Sequence, residues 1–270
     1  MVSTLAIGLG LCLGLSHRAN ALSADGSPSF KPTAGATWNI QYATALDPST
    51  VNSTFYAWDL DMVDTPQSTF DALKAANHAV ICYFSGGSRE SYRTDAGDFP
   101  AAAVGKVMDG WPDENWVDTR NSGVRDIMSA RIQVAKSKGC DGVDVDNVDG
   151  YGNDTGFNLT QTDGVDYVKF LSDTAHAAGL SYGLKNAGDI VPQVVDVAEW
   201  VVNEQCVQYD ECDLYQPFIK ANKPVFHIEY TDDATASPDF VKKSCSGGGT
   251  DGFSTLIKHM DLGNWTTTCS

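Results

Sequence analysis

Short apolar runs alternating with helix-length segments constrain this chain more than any other feature. Strand-like runs fall at 38–42, 55–60, 79–85, 116–119, 142–146, 181–185, 200–204, 225–230 and 252–257. Helix signals lie between them. Thr65-Pro66 offers an N-cap followed by proline, with Phe70 and Leu73 on one face. Val124, Ile127, Met128 and Ala135 share a face, and Gly139 stops that helix. Val165, Val168, Leu171 and Ala175 repeat the pattern up to Gly179, and Ser237-Pro238 opens another helix. Repeated strand–helix units predict an α/β fold with a parallel sheet and helices outside it. A doubly wound sheet would carry a glycine-rich loop after its first strand, and Asp59-Leu60-Asp61-Met62 has none. The expectation is therefore a single (β/α)8 TIM-type barrel with an extra N-terminal strand. The run at 38–42 is taken as the extra, because no helix-length segment separates it from the next.

Polar residues gather at the C-terminal strand ends, where barrels of this class carry their active sites. They are Asp59 and Asp61, Tyr83 and Ser85, Asp118 and Arg120, Asp144, Asp146 and Asn147, Lys185 and Asn186, Asn203 and Glu204, and Glu229 and Tyr230. Period-two alternation turns Val143 and Val145 toward the helices and Asp144 and Asp146 toward the interior. Carboxylates on an inward face are costly unless they meet solvent, partners or ligand at the mouth. Glu204 and Glu229 are the corresponding inward candidates on later strands. Asp144 reads equally well as a structural carboxylate bonded to a neighbouring strand. Trp38, Trp58, Trp111 and Trp116 suit either sugar stacking or core packing.

Charge and cysteines narrow the classes. With 35 Asp+Glu against 18 Lys+Arg the net charge is -17, which argues against nucleic-acid partners and anionic membranes. Residues 5–15 are apolar but too short to span a bilayer, and Ala19-Asn20-Ala21 is a cleavage-site pattern. A signal peptide is expected over 1–21, a flexible lead over 22–36 and a catalytic domain over 37–270, in a secreted protein. Sequons at Asn52, Asn153, Asn158 and Asn264 agree. Cys12 leaves with the leader, so six cysteines remain. Cys206 and Cys212 can staple one loop, Cys245 and Cys269 can tie the C-terminus, and Cys82 and Cys140 are left to pair. No zinc spacing occurs, and an EF-hand starting at Asp144 fails at Val148. H-E-x-x-H does not occur. No cofactor or metal is expected.

An acidic mouth without cofactor signals suits hydrolysis by two carboxyls. One protonates the leaving oxygen, while the other attacks or activates water. The run Cys82-Tyr83-Phe84-Ser85-Gly86-Gly87-Ser88-Arg89-Glu90, the segment Trp111…Glu114-Asn115-Trp116, and residues 139–151 with their Asp144-Val145-Asp146-Asn147-Val148-Asp149-Gly150-Tyr151 core resemble glycoside hydrolase family 114, the endo-α-1,4-polygalactosaminidases. So do Leu184-Lys185-Asn186, Asn203-Glu204-Gln205-Cys206 and Glu229-Tyr230. The resemblance implies catalytic carboxylates after the fourth and sixth strands. Asp146 would be the nucleophile and Glu204 the acid/base of a retaining mechanism, with the Glu204 pKa raised. The implied partner is a cationic or partly acetylated galactosamine polysaccharide such as galactosaminogalactan, cleaved by a monomer. Asp59, Asp118, Asp144 and Glu229 would meet substrate amines or hydroxyls. Lys185 and Asn186 would meet hydroxyls, Ser85 and Asn147 would also bind substrate, and Tyr83, Trp116 and Tyr230 would shape subsites. Lys185 could also hold Asp146 ionised. A glycosidase acting on another α-galactoside and a non-catalytic glycan-binding barrel are the alternatives.

Overall fold

The computed structural model describes residues 28, 30–51 and 53–269. The expected leader and the Asn52 sequon lie outside the described residues. In chain order the elements are β1 (Trp38–Gln41), β2 (Ala57–Asp61), α1 (Gln67–Ala75) and β3 (Ala79–Ser85). Next come β4 (Ser88–Glu90), β5 (Val104–Met108), β6 (Trp111–Val117), α2 (Ser122–Lys138) and β7 (Gly142–Asp146). Then follow α3 (Gln161–Ala178), β8 (Ser181–Lys185), α4 (Val191–Val194), β9 (Trp200–Glu204), α5 (Cys206–Tyr209) and α6 (Gln216–Lys220). The last are β10 (Val225–Tyr230), α7 (Pro238–Ser246), β11 (Ser254–Lys258) and β12 (Thr267–Thr268).

One sheet runs β1-β2-β3-β7-β8-β9-β10-β11-β12. Its first eight members pair in parallel, and β12 pairs antiparallel to β11. The two ends of the parallel series meet through side chains and loops. Trp38 Nε1 donates to the Ser254 carbonyl at 2.8 Å, and Tyr42 N donates to the Leu262 carbonyl at 2.9 Å. The sheet thus curls into the TIM-type α/β form. A second sheet, β4-β6-β5, is antiparallel and forms a side wall.

The N-terminal strand is present, but it is a full member of the parallel series and not supernumerary. Trp38 pairs with Ala57, although among the described residues the 42–56 crossover holds only a short 3-10 turn, Pro48–Thr50. The absence of a crossover helix therefore misleads. The run outside the series is 116–119, whose Trp116 and Val117 end the side-wall strand β6. These two differences offset each other. Asp146 still ends the fourth parallel strand and Glu204 the sixth.

Large aromatics fill the interior beneath the strand ends. Trp38 stacks on Phe226 at 4.8 Å, and Trp200 packs against Phe226 at 6.5 Å. A Cβ at Gly142 or Gly183 would overlap the Trp200 indole, so both positions need glycine for close approach. Outside, α2 buries Val124, Met128, Ile132 and Ala135, and Gly139 caps it with a φ of 84°. Gly179 ends α3 in the same way, after a capping box between Thr160 and Asp163. Thr65 does not cap α1; the helix begins at Gln67, after Pro66.

The disulfides are Cys82–Cys140, Cys206–Cys212 and Cys245–Cys269, the pairs expected. His227 lies beside Cys206 and Cys212, whose sulfurs are committed to their disulfide. The expected flexible lead is docked from Phe30 onward. Phe30 is buried edge-on against Trp200 at 5.4 Å, its carbonyl accepts the Ser181 hydroxyl, and Ala34 N donates to the Asn222 carbonyl at 3.2 Å. The phenylalanine supplies the apolar area that the Ser- and Pro-rich composition around it hides.

Candidate active site

A cleft of about 870 Å³ opens over the C-terminal ends of the parallel strands. Alternation along the strands directs Asp146, Lys185, Glu204 and Tyr230 into it. Lys185 lies at the centre, with Nζ donating to Asp146 Oδ1 at 3.1 Å and to Glu204 Oε2 at 2.6 Å. Two carboxylate oxygens held by one nitrogen lie no more than about 6 Å apart, near the ~5–5.5 Å carboxyl spacing of retaining glycosidases. The Tyr83 hydroxyl donates to Asp146 Oδ2 at 3.1 Å. Glu204 also accepts Asn186 Nδ2 at 3.1 Å and the Tyr230 hydroxyl.

Local backbone geometry presents these groups. Each of Asp146, Lys185 and Glu204 is followed at once by a left-handed residue: Asn147 at φ 61°, Asn186 at 49° and Gln205 at 65°. Asparagine tolerates this region better than most residues, and such strain commonly collects at functional sites. The turn after β3 grips the end of β7. Gly86 N and Gly87 N donate to the Asp146 carbonyl at 2.9 and 3.1 Å. A Cβ on Gly87 would overlap the Asn147 carbonyl, so the second glycine allows the close approach. Asn147 Nδ2 donates to Ser85 Oγ at 2.9 Å, which contacts Ser88 Oγ at 2.7 Å, and Ser88 donates to Glu114 Oε2 at 2.5 Å.

The electrostatics depart from expectation at Glu204. Burial raises its pKa, but the Lys185 charge and the bonds from Lys185, Tyr230 and Asn186 outweigh burial and hold it below the usual value. The expected raised value is not what this geometry produces; the unliganded site favours ionised Glu204. Burial works against the Lys185 charge, yet Asp146 and Glu204 keep its ammonium well above the usual range. Burial and the Asp146 charge push Asp149 up to about 6. Burial likewise raises Glu114, helped by Glu90 and Asp146.

The expected site residues divide into groups. Tyr83, Trp116, Asn147, Asn186 and Tyr230 line the cleft with Asp146, Lys185 and Glu204. Ser85 is buried behind Asn147, to which it is bonded. Asp59 and Asp144 are fully buried below the mouth. Asp118 lies outside the cleft, paired with Arg120 at 2.8 Å. Glu229 takes the other face of β10, since Tyr230 is the inward residue. It is buried, accepting His227 Nε2 at 3.0 Å and Val207 N at 2.8 Å. The cleft also holds Tyr42, Glu114 and Asp149, which sequence reasoning left without site roles. Tyr42 stacks on Tyr83 at 4.2 Å. Inclusion of 38–42 in the parallel series was the signal that would have found it.

Carboxylates in the cleft are mostly paired. Arg93 holds Asp61, Asp64 and Glu90, and Lys106 holds Asp154. Among the described residues, Asp109, Glu114, Asp149 and Asp261 of the cleft have no cation within ion-pair distance; Asp109 and Asp261 are solvent-exposed, and Glu114 and Asp149 are half-buried. On the side wall, Tyr92, Val107 and Trp111 line the cleft with large exposed apolar surfaces.

The model of glycoside-hydrolase family GH114 matches residues 19–270. The crystal structure of Aspergillus fumigatus Ega3 in complex with galactosamine is similar at 43% identity, covering 90% of this chain and 98% of that one, with a TM-score of 0.86. The glycoside hydrolase domain of PelA from Pseudomonas aeruginosa has a similar fold at 14% identity, covering 86% of this chain and 98% of that one, with a TM-score of 0.65. TtGalA, an α-galactosidase from Thermus thermophilus, shares the fold at 11% identity, with a TM-score of 0.55 over 84% of this chain and 58% of that one. No curated protein matches the chain.

Proposed function

This chain belongs to glycoside-hydrolase family GH114, and from that premise we propose that it cleaves α-1,4-linked galactosamine polysaccharide by a retaining, two-carboxylate mechanism. The observation that carries the reading is the Asp146–Lys185–Glu204 cluster at the strand ends, in a chain 43% identical to a relative solved with galactosamine. Asp146, oriented by Tyr83 and Lys185, attacks the anomeric carbon. Glu204 protonates the leaving oxygen and then deprotonates the water that releases the glycosyl-enzyme. The carboxyl spacing supports attack by Asp146 itself, since inversion needs roughly 6.5–9.5 Å to admit a water.

Glu114 and Asp149 support a substrate bearing amines. They are half-buried carboxylates in the cleft without a protein cation, and an ammonium group on the sugar would supply one. The three disulfides and the A-x-A pattern support export of the chain, with cutting after Ala21 and action outside the cell.

The test uses α-1,4-galactosamine oligomers of defined acetylation, with products followed by mass spectrometry and the first-released anomer by proton NMR. The expected result is cleavage with the α anomer released first. Asp146→Asn and Glu204→Gln are each expected to lower kcat at least about a thousandfold. Binding without any product from the unaltered protein would overturn the enzymatic reading, and a β anomer would overturn retention.

A further inference from the structure

Asp59 and Asp144 have no part in the two-carboxylate mechanism, yet both are completely buried beneath it. Asp59 Oδ1 accepts the Tyr42 hydroxyl at 3.1 Å. Asp59 Oδ2 and both oxygens of Asp144 meet no protein donor among the described residues. Such atoms are costly in a dry interior unless something satisfies them.

The groups facing the pair come from every surrounding strand. They are Tyr42 beyond β1, with Tyr83 of β3 behind it, Asp146 on β7 itself, Lys185 of β8 and Glu204 of β9. Lys185 is the single cation among them, and the bonds its ammonium donates go up to Asp146 and Glu204. Four ionised carboxylates around one ammonium would leave uncompensated charge in a water-poor interior. Two carboxyls that face one another resolve this without an outside donor. A proton on Asp59 is donated to Asp144, and the remaining Asp59 oxygen accepts Tyr42.

We propose that Asp59 and Asp144 retain a proton between them and act as a positioning floor, filling the space under Lys185 without drawing its charge away from Asp146 and Glu204. Burial acts in the same direction on both carboxyls, raising Asp59 well above its ordinary range and Asp144 to about 8. The pair never meets the sugar. It acts through Lys185, so its loss changes how the two mouth carboxylates are held.

The experiment uses the full chain and has a spectroscopic arm that is independent of the galactosaminidase reading. Infrared spectra at pH 7 should show a protonated-carboxyl band that shifts or weakens in both Asp59→Asn and Asp144→Asn. Absence of any such variant-sensitive band overturns the proposal. The kinetic arm rests on the proposed activity. Asp59→Asn keeps a donor toward Asp144 and an acceptor for Tyr42, so its kcat at acid pH should stay within about threefold of the unaltered protein. Asp59→Leu keeps neither and should lose more than tenfold in kcat with KM little changed. Equal damage from Asn and Leu would overturn the positioning role. If Asp59→Leu does not fold, Asp144→Asn takes its place. Its kcat should then fall no more than threefold, and a larger fall overturns the proposal. If no substrate is cleaved by the unaltered protein, the function reading fails while the infrared arm still decides the floor.

Discussion

Lys185 sets the ionisation of the mouth. It bonds Asp146 and Glu204 at once, and Glu204 answers with a pKa below its ordinary value. With Glu204 in its proposed role as the acid, kcat/KM should fall as pH rises through that lowered value, which gives an acidic optimum. Lys185→Met leaves burial of Glu204 less opposed and should move the alkaline limb up by about one pH unit or more, while kcat falls at least about tenfold. A pH–rate series on both proteins checks the shift. The stability signs oppose each other. The lowered Glu204 value stabilises the fold at neutral pH and is lost as pH falls through it. The raised Asp144 value stabilises at acid pH and is lost as pH rises through about 8. Asp144→Asn should therefore flatten the fall in Tm between about pH 4 and pH 8, as scanning calorimetry would show. Asp146, Lys185 and Glu204 were legible because alternation assigns each residue a face. Depth was not legible, since the same alternation cannot separate Asp144 at the floor from Asp146 at the mouth. Glu229 was misassigned because the apolar pattern of β10 leaves open which of two adjacent polar residues faces inward.

At the scale of elements, the parallel strands and the long helices α2 and α3 announce themselves by period and by their glycine stops. The side wall does not. Its strands lie between β3 and α2 without a strand–helix rhythm, and they bring Glu114 and Trp111 to the cleft. The Cys206–Cys212 staple shows how an element can serve position more than stability. It closes a separation of 6 residues just beyond Glu204, where Asn203 Oδ1 also accepts Cys206 N at 3.2 Å. Cys82–Cys140 spans 58. Chain-entropy reasoning gives about 2 kcal/mol for the short loop and about 4 kcal/mol for the long one. Replacing Cys82 and Cys140 by serine should therefore cost more in urea unfolding. The Cys206/Cys212 double serine variant should cost less stability and more kcat, because it loosens the segment that presents Glu204. Comparable kcat losses in both variants would count against that division.

For the whole molecule, the net charge of -17 at first only excluded partners. The fold pairs several of the cleft carboxylates and leaves Glu114 and Asp149 without a cation, so the charge becomes a local claim about amines. KM for a free-amine oligomer should rise several-fold between about 50 mM and 500 mM salt, and much less for its fully acetylated counterpart. Steady-state kinetics on both oligomers would detect the difference. The docking of Phe30 has a separate consequence. The phenylalanine sits among Tyr56, Ser181 and Trp200, at the entry ends of their strands, while the cleft opens at the exit ends. A bead, surface or fusion partner joined upstream of Phe30 would therefore attach at the pole opposite the mouth. An N-terminally immobilised molecule would stand with its cleft outward, free to meet a polymer too large to diffuse underneath it.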